Sequence, residues 1–427
     1  MTASRAAAVV FDGARLTMAR RLAGLRKSDL AALMRMSATA VAAWESGAKR
    51  PTAATVARLA LSLRVDPGFF AVGPYDIAAQ PVTPHFRSPR STSQLVRDQA
   101  LAYGQLAVDI ATSLERHVEC PPVEVPAVSI DADQGGDGPE RAAPGPERPA
   151  DGGDGAERPA HGGDGAERAA QGGDGPERAA QAVREAWAMP PGPAGHLIRL
   201  LEGHGVLVVF SLPPTARVDA YSFDFRPRPV VVLSPLRRDY YRQRLDVAHE
   251  LGHLVMHSGR ANGGRLAEQQ ADRFAAELLM PAEAIRPELP ASMGSGAWPA
   301  LARLKEQWGV PMQALLQRAR SVGRLSEVSY RNAMSTLTTR GWRHAEPGRV
   351  TLAEQPSMLP RAVELLSGAD GLNEHCQAPV DLFRAITSRL PLGVEITGTG
   401  PPEPDHDAQQ TRARVVSLLD WERRCQR

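Results

Sequence analysis

The chain has 427 residues, 43% of them hydrophobic and 23% charged, and a formal net charge of +2. That length accommodates two or three domains with buried cores, and the near-neutral balance excludes a global electrostatic field, so any charged surface must be local. Three scattered cysteines (Cys120, Cys376, Cys425) without C-x-x-C spacing exclude a disulfide scaffold, and no apolar run reaches the length of a membrane span. The Ala-Val stretch after Arg5 is interrupted by Asp12 and Arg15, which argues against a signal peptide. A cytoplasmic protein without a membrane partner is expected.

Residues 12–70 carry four short helical patterns: Ala14–Ala23, Lys27–Met34, Ala38–Glu45 with Ser37 as N-cap, and a helix opened by Pro51-Thr52 that runs to Leu63. Leu16, Leu22, Leu30, Ala31, Leu33, Val41, Trp44, Val56, Leu59 and Leu63 are the expected core. Lys and Arg outnumber Asp and Glu here. Short helices joined by a tight turn on a basic module suit a helix-turn-helix; a small bundle for protein contacts is the blander alternative. The stretches Gly24–Ala31, Ser37–Gly47, Pro51 and Leu59-Ala60 resemble the XRE (phage-repressor-like) helix-turn-helix family. The resemblance implies an all-α domain for duplex DNA, set at residues 10–75. Two departures stand out. The usual turn glycine is replaced near Arg35, and the recognition helix offers Thr39 among alanines, with no side chain for bidentate base contacts. DNA contacts are expected from Lys27, Arg35, Thr39, Lys49 and Arg50, chiefly to phosphate.

Residues 76–130 read as a linker and a connecting helix. The stretch 71–90 is Pro-rich, and Ser91–Glu119 is helical, with Leu106, Ile110, Leu114 and Val118 at i+4 spacing before Pro121-Pro122. This helix either joins two domains or mediates a homodimer. Residues 131–181 change character. A decapeptide recurs at Gly152–His161, Gly162–Gln171 and Gly172–Gln181, with no aromatic, Val, Leu or Ile residue after Ile130. Such a segment cannot bury enough apolar area to order itself, so a disordered insert is expected. Its ten-residue period and lack of apolar residues exclude a calcium-binding β-roll.

Order is expected to resume at Ala182, with helices at Ala182–Ala188 and Gly195–Leu201. Buried strands follow at Val206–Phe210 and Pro229–Leu233, and an alternating strand at Ala220–Arg226. Next comes His249-Glu250-Leu251-Gly252-His253. On a helix, the two histidines lie one turn apart on one face and can share a Zn²⁺. Glu250 is placed to act as general base on a water at the metal. His257 continues the i+4 series, but it lies about 12 Å of helix rise from His249, too far to share the ion; it is expected to support the site from outside or at the helix end. The third ligand should come from the helix Arg265–Met280, anchored by Leu266, Phe274, Leu278 and Leu279. Glu268 is that candidate, Asp272 would accept the second ring N–H of a ligand histidine, and Glu277 suits a surface carboxylate.

His249–His253, His257 and the run from Glu268 through Ala271, Phe274, Ala275 and Leu278 to Pro281 resemble the ImmA/IrrE metallopeptidase family. The resemblance covers roughly Ala182–Arg320. It implies an α+β zincin-like domain of gluzincin type, set at residues 182–330, with zinc on His249, His253 and Glu268 and Glu250 as base. His85–Ser88 through Leu114–Arg116 resembles connectors in proteins that fuse these two families. Tyr221, Tyr240 and Tyr241 could polarise a carbonyl, though packing is the readier role. Leu301–Trp308 and Met312–Val322 form a helix pair expected to pack on the zinc helix. Residues 331–427 carry no recognisable chemistry, and the adjacent residues Glu374-His375-Cys376 share no face for a metal. The expected function is that of a DNA-binding regulatory zinc endopeptidase whose protein substrate is a transcriptional repressor or related regulator. The rival is a transcription regulator whose zincin-like domain senses a ligand or metal without turnover.

Overall fold

The computed structural model describes residues 3–71, 85–86, 93–130, 174–211, 220–236, 239–258, 264–343, 345–349, 351–366 and 378–388. The expected disorder at 131–173 and the Glu374–Cys376 cluster lie outside these residues.

The N-terminal unit is helical: α1 (Ala3–Val9), α2 (Gly13–Leu22), α3 (Lys27–Met34), α4 (Ala38–Glu45) and α5 (Ala53–Leu63), closed by a 3₁₀ turn at Pro67–Phe70. Asp12 caps α2 through Ala14 N–H at 2.8 Å, and Ser37 caps α4 through Ala40 N–H at 3.2 Å. The turn from α3 to α4 runs through Arg35 in the left-handed region (φ 51°, ψ 47°), the backbone role usually given to glycine. Leu16, Leu30, Met34, Val41, Trp44, Val56 and Leu59 are buried between the helices. Leu33 is not: it lies on the outer side of α3, 56% exposed, and Met34 fills the core instead. Arg20 and Glu45 form a buried ion pair at 2.5 Å, which ties α2 to the end of α4. The first helix, α1, was not anticipated; Ala7 packs it into the same core.

Helix α6 (Gln94–Leu114) is buried along most of its length from Gln99 onward. It holds the N-terminal unit through an Arg15–Asp109 ion pair and through Gln99 Nε2 donating to Leu22 O at 2.9 Å. Its other side meets the sheet: Tyr103 O–H donates to Phe210 O at 2.8 Å. At Gly104 a Cβ would stand 2.7 Å from the Phe223 ring, so only glycine permits this approach. Of the two roles expected for this helix, joining the two units is the one it fulfils; its buried sides leave little surface for a second copy.

Four strands, β1 (His85–Phe86), β2 (Leu207–Phe210), β3 (Ala220–Phe223) and β4 (Val230–Leu233), form a sheet in the order β1-β3-β4-β2. β2 and β4 are parallel; β1–β3 and β3–β4 are antiparallel. Alternation sorts the side chains. Leu207, Val209, Tyr221, Phe223, Val230 and Val232 face α6, while Val208, Phe210, Ala220, Val231 and Leu233 face the opposite layer. Both faces are covered, so β2–β4 are buried at every position rather than half-exposed. The expected linker at 71–90 therefore supplies a strand.

The second layer begins with α7 (Gly175–Ala186) and α8 (Leu197–Gly203). The start of α7 corrects the expectation that order resumes at Ala182. Residues 175–181 are helical because Ala179 and Ala180 are buried and Glu177 pairs with Arg273 at 2.7 Å. Helices α9 (Tyr240–Met256) and α10 (Arg265–Leu279) follow and lie side by side, where Gly252 leaves room for the Phe274 ring. Leu266 points outward, 55% exposed, whereas Phe274, Leu278 and Leu279 are buried. Glu277 is no surface carboxylate: it is buried and paired with Arg318. After the short α11 (Ala282–Ile285), helices α12 (Ala297–Trp308), α13 (Met312–Ser321) and α14 (Glu327–Thr339) extend this layer. Trp308 and Leu315 join the cluster that holds Val247 and Leu251 of α9, so the α12–α13 pair packs where expected.

The C-terminal region also has a structural role. Glu354 accepts from Arg244 Nη1 at 2.6 Å and from Ile198 N–H at 2.7 Å, and its own N–H donates to Gln243 Oε1 at 2.7 Å. This clamps residues 351–357 across α8 and α9. Glu202 of α8 accepts from Ser357 N–H and Met358 N–H, both at 2.9 Å, at the start of α15 (Met358–Leu365). α15 and α16 (Val380–Thr387) then add Leu359, Phe383 and Ile386 to the core around α6.

Candidate metal centre and nucleic-acid interface

The helix α9 forms because Asp239 caps its first turn through Tyr241 and Arg242 N–H groups and its apolar face is buried against sheet and α10. On it, His249 and His253 are buried with their rings nearly perpendicular, and His253 Nε2 stands 3.1 Å from His249 Nε2. Glu268, in the first turn of α10, closes the triangle: its two oxygens are each 3.4 Å from one of these nitrogens. Zinc bonds of about 2.0–2.1 Å in a tetrahedral shell put ligand atoms about 3.3 Å apart, so the three atoms fit one ion with a fourth position left over. Among the described residues, these three form the His/Cys/Asp/Glu group able to hold a metal.

The outward ring atoms point to the same conclusion. His249 Nδ1 lies 2.8 Å from Asp272 Oδ1, an acceptor, so this nitrogen carries the hydrogen. His253 Nδ1 lies 3.0 Å from His257 Nδ1, and His257 Nε2 lies 3.0 Å from Gln270 Oε1. With His257 donating to Gln270, its Nδ1 accepts from His253 Nδ1–H. Both Nε2 lone pairs then face each other and a carboxylate, an arrangement that a cation neutralises. When the two imidazoles are protonated, burial raises the Glu268 carboxyl's pKa, but hydrogen bonds from His249 and His253 and their charges outweigh it and hold the group well below the usual carboxylate range.

Glu250 is buried between α9 and β3, and Ser222 Oγ donates to its Oε2 at 2.7 Å. Ser222 carries no motif and was not foreseen; its only signal is a polar residue in a buried strand. All three tyrosines make contacts within the fold. Tyr221 packs edge-on to Phe223 in the α6 layer, Tyr241 O–H donates to Arg349 O, and the Arg244 guanidinium lies over the Tyr240 ring.

In the N-terminal unit, Thr39 and Arg35 are exposed around the outer face of α4, and Lys49 and Arg50 are exposed just beyond it. Lys27 sits 3.4 Å from Glu45, and Arg50 Nη1 donates to Val9 O at 2.9 Å, so both cations are partly engaged within the fold. Arg35, Thr39 and Lys49 are the less encumbered of the five.

A family model described as helix-turn-helix matches residues 16–70, and a second, described as IrrE N-terminal-like domain, matches residues 201–320. The second match runs from α8 through β2, β3 and β4, then α9 and α10, to α13. No curated protein matches the chain. No helix among the described residues is long and apolar enough to cross a membrane. The chain is a fusion of an XRE-type helix-turn-helix domain with an IrrE N-terminal-like domain.

Proposed function

We propose that the chain is a DNA-binding regulatory zinc endopeptidase with a zincin-like catalytic domain. The observation that carries this is the convergence of His249 Nε2, His253 Nε2 and Glu268 within 3.1–3.4 Å of one another, beside a buried Glu250. A bound Zn²⁺ supplies Lewis acidity toward a peptide carbonyl and a water. Glu250 takes the proton of the attacking water and returns it to the leaving amine. Ser222 fixes the rotation of the Glu250 carboxylate, Asp272 and His257 fix the two imidazole rings, and the apolar layer around Val247, Leu251 and Phe274 keeps bulk water from the buried side.

The N-terminal unit supports a regulatory rather than a degradative role. It presents α4 outward, and a DNA tether raises the effective concentration of the enzyme near proteins bound to the same duplex. The substrate class we assign is a DNA-bound repressor or related regulator. The test is metal analysis of the purified chain with His249→Ala and Glu250→Gln variants. One zinc per chain, lost in His249→Ala and kept in Glu250→Gln, supports the site; a chain that purifies without zinc and takes none up overturns it.

A further inference from the structure

We propose that the chain's own His85-Phe86 strand occupies the outer edge of β3 as a substrate-like blocker. The inference rests on the peptidase reading of the site. β3 is the strand that touches the chemistry, since Ser222 Oγ donates to Glu250 Oε2 at 2.7 Å. One edge of β3 is filled by β4, over four residue pairs. An extended polypeptide can add to the other edge through backbone hydrogen bonds, and β1 lies there. It runs antiparallel to β3, with His85 opposite Ser222 and Phe86 opposite Tyr221.

One feature sets β1 apart from the rest of the sheet. It lies outside residues 201–320, the span matched by the IrrE N-terminal-like model, whereas β2, β3 and β4 all lie within it. The metal-site domain by itself therefore leaves β3 as an edge strand, and the linker from the DNA-binding unit covers it. Among the described residues, β1 meets β3 at His85 and Phe86 through antiparallel pairing. A strand paired there covers the edge against solvent and stray chains, and any other extended chain must displace it to pair with β3. An extended substrate segment thus binds in competition with residues 85–86.

The test uses the zinc-loaded full chain carrying Glu250→Gln, so that binding is read without turnover. The probe is a fluorescein-labelled synthetic peptide of this chain's residues 79–92. His85→Pro and Phe86→Pro are added singly, because in a ladder only one of two neighbouring N–H groups points at the partner strand and proline removes it. At least one of the two variants should bind the peptide ten-fold or more tightly than the parent while retaining one zinc. In the chain without proline substitutions, saturating peptide should speed amide exchange at residues 85–86. Equal affinity in parent and both variants, or peptide binding that leaves exchange at 85–86 unchanged, overturns the proposal. So do fragments cut within residues 79–92 that accumulate in wild type and not in Glu250→Gln, because the strand is then a substrate rather than a blocker. Since these readouts need no catalysis, a chain that proves inactive as a peptidase still answers the question.

Discussion

At the scale of single residues, the site depends on which ring nitrogen is held by what. Asp272 and His257 engage the Nδ1 atoms of His249 and His253, which commits both Nε2 atoms to the centre. Asp272→Ala should weaken zinc affinity about 10–100-fold without unfolding the chain, as removal of such supporting partners typically does; isothermal competition against a chelator measures it. His249→Ala or His253→Ala should abolish stoichiometric zinc. The pair of histidines was legible because i and i+4 share a helix face, and Glu268 because its carboxylate opens the next helix. Ser222 was not legible, since one serine in a short apolar strand has no spacing to read. Leu33 and Leu266 misled for the opposite reason: helical periodicity assigns a broad apolar face, and packing uses only part of it.

At the scale of elements, the repeat shows where composition stops being informative. Gly172–Gln181 has nearly the same sequence as the two copies before it, and where composition predicts disorder it is helical from Gly175 onward. The cause lies downstream: Val183 and Trp187 anchor the helix in the core, and Arg273 pairs with Glu177. Deleting residues 135–170 should therefore leave the thermal midpoint and zinc content unchanged, whereas deleting 175–181 should cost at least about 2 kcal/mol from lost burial and helix propagation. Paired thermal melts decide it. The clamp at Glu354 was hidden because a lone glutamate in an irregular segment looks solvated. Burial raises its pKa, but His196 and Arg244 outweigh that and the net shift is downward from 4.5. A carboxyl with a depressed folded pKa contributes stability that is present above its unfolded value and is lost as pH falls through the folded one. Glu354→Gln should lower stability by about 2–3 kcal/mol at pH 7 and flatten the loss of stability below about pH 4.5; urea melts across pH 3–7 measure both.

At the scale of the molecule, α6 changes how the two halves are understood. Sequence patterns separated a DNA-binding unit from a peptidase-like one and found the helix between them. They could not show that this helix is core to both, because burial on all sides is a property of its neighbours. The N-terminal unit is docked through Arg15–Asp109 and the Gln99–Leu22 contact, so cutting the linker at 71–90 would not by itself release it. Regulation by cleavage of a separate DNA-bound protein is the reading this architecture supports. Full-length protein should bind duplex DNA with affinity that falls steeply with salt and discriminates weakly between sequences, since α4 offers Thr39 and methyl groups rather than base readers. A salt titration that is flat would assign the basic face to protein contacts instead. The most direct measurement of the central claim is a comparison of new protein N-termini in host cells expressing wild type and Glu250→Gln at equal levels under stress. The account predicts at least one cut in a DNA-binding regulator that appears with wild type alone. Identical N-termini in both, with one zinc bound in each, would contradict it.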